Sequence, residues 1–123
     1  MIVLSNSVAQ TVAPGQALTF DTVIMHTGCA ECYRPNSGAV GLKFQGIYTC
    51  DFGANAASAQ LALALDSSPL LETTMINAAD TVTKLSCATA VKNCMGDSVT
   101  VVNTGTTSVT IDPNPCLFIK RVA

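Results

Sequence analysis

Apolar and polar residues alternate with a period of two over many short stretches of this chain, and turn-forming residues interrupt them at roughly ten-residue intervals. A period of two is a strand signature, because successive side chains on a pleated backbone point to opposite faces. The fullest stretch runs from Gly41 to Asn55. Phe44, Tyr48 and Phe52 share one parity with Cys50, while Gln45, Thr49 and Asp51 share the other, with Ile47 the one apolar exception. Spacing of four also suits a helix, but Gly41, Gly46 and Gly53 with β-branched Ile47 and Thr49 favour a strand. The chain has four Phe, two Tyr and no Trp, so a face holding three aromatic residues is expected to be the centre of the core.

The other segments read in the same way. Residues 5–13 look extended, and Pro14-Gly15 marks a turn. Ala17 to Ile24 reads as a second strand with a bulge near Asp21, because Leu18 and Phe20 do not alternate with Val23. From His26 to Ser37 the pattern breaks into a surface loop or a tight paired excursion. Gln60 to Asp66 is rich in the helix formers Ala and Leu, yet Leu61, Leu63 and Leu65 alternate strictly and Ser67-Ser68-Pro69 stops the run, which predicts a strand. Leu70–Ile76 is expected to pair beside it, with a break at Asn77–Asp80. Thr81–Val91 follows as a strand, then a loop of Cys94, Met95, Gly96 and Asp97. Ser98–Asn103, Ser108–Asp112 and Cys116–Val122 complete the set, with Leu117 and Ile119 facing opposite to Phe118 and Lys120. At least eight short strands and no helix predict an all-β sandwich or jelly roll. A single domain over 1–123 is expected, with 1–7 as a short lead-in.

Composition adds one constraint. Apolar residues make up 49% of the chain and charged residues only 11%, against about a quarter in ordinary soluble domains. So sparsely charged a surface points to burial in an oligomer, since interface cores are depleted of charge. A net charge of −2 offers nothing to nucleic acid or to anionic lipid. No apolar run is long enough for a membrane-spanning helix, and Met-Ile-Val-Leu-Ser-Asn has neither the basic region nor the apolar core of a signal peptide.

Candidate chemistry is thin. His26 is the only histidine and no nucleophile elbow accompanies it, so it reads as a locally bonded loop residue. The carboxylates are scattered singly, and Asp80, Asp97 and Asp112 sit beside turns, where bonding to backbone is the usual reason. The cysteines are Cys29, Cys32, Cys50, Cys87, Cys94 and Cys116. Cys29-x-x-Cys32 has half of a zinc spacing, but Cys87 and Cys94 make a poor second half. Three readings stay open: free thiols that pack as small hydrophobes, disulfides, or a metal clip. Cys50, in line with Tyr48 and Phe52, is expected to be buried. No glycosylation sequon occurs, and no catalytic residue, cofactor-binding residue or metal ligand is assigned.

Two motifs carry a resemblance. Gly46-Ile47-Tyr48-Thr49-Cys50-Asp51-Phe52 resembles the Gly-x-Tyr strand of the complement-globular-head and tumour-necrosis-factor family of jelly rolls. Gly96-Asp97 followed by Ser98–Asn103 resembles that family's late Gly-Asp strand, and Leu117-Phe118-Ile119 its closing core strand. The order of elements is similar from about Val8 to Ala123, and is nearest to the heads of bacterial spore-surface collagen-like glycoproteins and of phage head-fibre and decoration proteins. The Cys29-Ala30-Glu31-Cys32 excursion departs from the pattern, and no Gly-x-y stalk is present. The resemblance implies a homotrimer with one sheet of each subunit around a threefold axis. It implies a structural, non-enzymatic knob, with a phage virion component as the leading expectation and other virion or surface-layer proteins as partners. The alternatives are a spore-surface or cell-surface counterpart, or a module of the same fold that binds a carbohydrate or a host receptor.

Overall fold

In the computed structural model, which describes residues 1–94 and 96–123, the alternating stretches become two packed antiparallel sheets. Met95, in the loop expected between Cys94 and Asp97, lies outside the described residues. The strands are β1 (Ile2–Ser5), β2 (Gln10–Val12), β3 (Thr22–His26), β4 (Glu31–Tyr33), β5 (Val40–Leu42), β6 (Gly46–Ala56), β7 (Ala59–Leu65), β8 (Ser68–Pro69), β9 (Met75–Asn77), β10 (Thr83–Asn93), β11 (Ser98–Asn103), β12 (Val109–Ile111) and β13 (Cys116–Arg121). In the first sheet β6 is central. β10 pairs with its whole length on one side, and β13, β1 and β3 follow in order on the other. β12 and β2 extend this sheet at the far end of β6. The second sheet runs β4-β5-β11-β7-β8, with β9 also on β7. The result is a jelly-roll β-sandwich in one domain.

Burying one face of each sheet drives this arrangement, because each apolar side chain removed from water contributes about 1.5–3 kcal/mol. β6 turns Tyr48, Cys50, Phe52, Ala54 and Ala56 inward, against Leu61 and Leu63 of β7, Val99 and Val101 of β11, and Leu117 and Ile119 of β13. Tyr48 is fully buried, and its hydroxyl donates to the Phe44 carbonyl at 2.9 Å. The Leu61, Leu63, Leu65 alternation is a strand as expected: tertiary pairing with β11 overrides the helical propensity of Ala and Leu.

Several expectations are corrected. Phe44 precedes β6, stays 42% exposed, and lies under the Arg121 guanidinium at 5.9 Å instead of joining Tyr48 and Phe52. The lead-in 1–7 contains β1, held between β13 and β3, with Ile2 and Leu4 in the core. Ala17–Ile24 is not one strand. Leu18 donates its amide to Val101 in the second sheet, whereas β3 begins at Thr22 in the first, so the segment between them crosses the sandwich edge. Phe20 is fixed during the crossing by Tyr33, whose hydroxyl receives the Phe20 N–H at 3.1 Å and lies 2.6 Å from the Phe20 carbonyl. Of the two forms expected from His26 to Ser37, a surface loop or a tight paired excursion, the chain takes the paired one, with β4 antiparallel to β5. Leu70–Ile76 divides into a short 3-10 turn at Leu71–Thr73 and the start of β9.

Candidate assembly face

Since the even-numbered residues of β6 enter the core, Ile47, Thr49, Asp51, Gly53 and Asn55 face outward. Strand register carries this outward parity across the sheet. Ala88 of β10, Asp51 of β6, Phe118 of β13, Val3 of β1 and Met25 of β3 lie side by side in one row. At the usual strand separation the row is about 19 Å wide. Four of its five members are apolar; Ala88 and Met25 are exposed, and Val3 and Phe118 half-buried. The row on one side reads Ala90, Thr49, Lys120, and the row on the other Ser86, Gly53, Cys116. Glycine at position 53 leaves a depression between Ser86 and Cys116, bordered by Asp51, Lys84 and Phe118. Exposed Ile24, Ile47 and Val122 extend the apolar surface.

The charges on this face are few and of both signs. Asp51 stands in the central row, and Lys84, Lys92 and Lys120 stand one or two rows away. A face of this kind is suited to pack on a copy of itself: apolar surface provides the association energy, and the Asp51 carboxylate with the flanking lysines favours one register over others.

The residues with reactive side chains are dispersed. His26 closes β3, and its Nε2 lies 3.0 Å from the Glu31 carbonyl, the local bond expected of it. Glu31 is fully buried; its Oε2 accepts from the Met1 ammonium at 3.0 Å, while Oε1 has no partner among the described residues. The turn aspartates divide. Asp97 accepts from the Cys94 backbone amide at 3.3 Å, whereas Asp80 accepts from the Ser58 hydroxyl at 3.1 Å. Asp21 accepts from the backbone amide and hydroxyl of Ser7 and from the Thr22 hydroxyl. The Ser7 hydroxyl first, then that of Thr22, hold its carboxyl below the ordinary range.

All six cysteines are free thiols in the structure. Cys50 is buried as expected, and desolvation pushes its thiol up to about 12. Burial likewise raises Cys87. Cys29, Cys32, Cys94 and Cys116 are exposed, and the Cys32 thiol rests over Gly41, where any Cβ would come within 2.6 Å of the sulfur. Among the described residues no three His, Cys, Asp or Glu side chains are grouped to hold a metal ion. Among the described residues no helix is long and apolar enough to cross a membrane.

The outward row was missed in the sequence although half its signal was there: strand parity marks which residues leave the core, but not which strands stand side by side. No family model matches the sequence, and no curated protein matches it. Solved structures do match the fold. The globular domain of zebrafish complement 1qA is similar at 15% identity and a TM-score of 0.73, covering 99% of this chain and 96% of that one. The tumour necrosis factor Eiger from S. frugiperda is similar at 12% identity and a TM-score of 0.76, covering 99% and 91%. Murine APRIL is similar at 12% identity and a TM-score of 0.73, covering 98% and 97%. The fold is therefore the tumour-necrosis-factor and complement-head jelly roll.

Proposed function

We propose that this chain is a non-enzymatic head domain that assembles as a homotrimer through the outer face of the first sheet. The observation that carries the proposal is the five-strand row of Ala88, Asp51, Phe118, Val3 and Met25, an apolar band with Phe118 at its centre and Asp51 its single charge. A chain with only 11% charged residues has little polar surface to spare, and this face is where packing against copies removes apolar area from water. Likeness in fold to a complement head and to tumour necrosis factors favours three copies around an axis over a twofold pair.

Within that reading the head is a durable structural knob on a particle or cell surface, first a phage capsid decoration or head-fibre component and second a spore-surface counterpart. The cysteines suit folding under reducing conditions, as in phage assembly: Cys50 serves as a core hydrophobe, and the exposed thiols are unpaired. Light scattering coupled to gel filtration tests the assembly. Three times 12.7 kDa is expected, and a monomer at micromolar concentration overturns it.

A further inference from the structure

Where β6 turns into β7, a cleft of about 190 Å³ opens at the end of the sandwich, the volume of about six waters. Ser58, Gln60, Ile76, Gly105, Thr106 and Thr107 line it. Two turns form its sides, one after β9 and one after β11, and both are pinned to the same hairpin. Ser58 donates its amide to the Ala79 carbonyl at 2.8 Å, and Thr104 donates its amide to the Gln60 carbonyl at 3.0 Å. Buried Asn77 and Asn103 brace these turns from within through their side-chain amides. The walls are thus set before anything binds, which reduces the ordering cost of binding.

The lining is uncharged. The Gln60 amide and the Thr106 and Thr107 hydroxyls make no hydrogen bond to any described residue, and each can both donate and accept. Ile76, 64% exposed, gives an aliphatic wall. Asp80, held by the Ser58 hydroxyl at the rim, disfavours an anion. An apolar wall beside several neutral donor–acceptor groups matches a ring with a C–H face and hydroxyls around its edge. We infer that this cleft binds one neutral sugar ring. The site uses none of the residues in the outward row of the first sheet, so it does not depend on the assembly.

The test is a titration of the isotope-labelled full chain, followed by amide resonances, with galactose, N-acetylglucosamine and the trimer of N-acetylglucosamine as probes. Saturable shifts at millimolar sugar, confined to the amides of the residues that line the cleft and lost in the Gln60→Ala, Thr106→Val double variant, are expected. An unchanged spectrum outside the cleft shows that the variant is folded. Tighter binding of the trisaccharide than of the single sugars assigns the cleft to a glycan chain, and equal binding assigns it to a free or terminal sugar. No saturable shift with any probe, or shifts that persist in the folded double variant, overturn the inference.

Discussion

Asn77 and Asn103, at the ends of β9 and β11, make the same three-part brace with the same sequence offsets. In each, Oδ1 receives the backbone N–H two residues ahead, from Ala79 at 3.1 Å and from Gly105 at 2.9 Å. In each, Nδ2 donates to the carbonyl four residues ahead, Thr81 at 3.0 Å and Thr107 at 2.9 Å. The second amide proton reaches across the sandwich, to Ala56 at 2.8 Å and to Val12 at 2.9 Å. One buried amide therefore closes a turn and ties it to a neighbouring strand.

Removing such a brace strands three backbone groups. Asn103→Ala is expected to lower unfolding free energy by about 2–4 kcal/mol, since each buried group left unpaired costs about 1–3 kcal/mol and water recovers part of it. Asn103→Asp should be at least as harmful at neutral pH, because a carboxylate would face two carbonyls. Urea denaturation measures both. A loss below about 1 kcal/mol for the alanine variant would sink the assignment.

The core prediction separates three aromatic residues that share one parity in sequence. Tyr48→Ala and Phe52→Ala should each cost about 3–5 kcal/mol, the range for truncating a buried aromatic. Phe44→Ala, at a half-exposed position before β6, should cost about 1 kcal/mol or less. Equal losses at all three positions would contradict the placement of Phe44.

Acid should expose the role of Asp21. Its folded carboxyl titrates below the ordinary 3.8, so its bonds to Ser7 and Thr22 stabilise the fold above that value. The contribution is lost as pH falls through the lower, folded value. Asp21→Asn should therefore be less stable than wild type at neutral pH and converge with it in strong acid. A stability difference that stays constant across the acid range rules this out.

Assembly and thiol chemistry are linked through Cys116. Ala88→Arg and Phe118→Glu each place a charge in the apolar row and should give a folded monomer. In that monomer Cys29, Cys32, Cys94 and Cys116 should react quickly with a thiol reagent, half-buried Cys87 more slowly, and Cys50 only after unfolding. In the wild-type assembly Cys116, beside the Gly53 depression, should be protected. Mass mapping of the labelled cysteines reads the pattern, and equal Cys116 labelling in both forms argues for a different interface.

Local alternation was sufficient to show an all-β chain and many of its strands. Ser98–Asn103 matches β11 end to end, and Leu61, Leu63 and Leu65 announced β7, because a half-buried strand imprints a period of two on its own residues. The sparse charge is matched by an outward row in which four of five residues are apolar. Partnership was not legible. Ile2 and Leu4 are too short a run to declare a strand until β13 and β3 flank them, and Phe44 keeps its parity while the chain before Gly46 leaves the sheet. Nor does anything local say that Asp51 stands between Ala88 and Phe118, or that Asn77 and Asn103 point inward to reach Ala56 and Val12. These relations join residues far apart in the chain, and only the register between strands decides them: a one-residue slip would turn every outward side chain into the core.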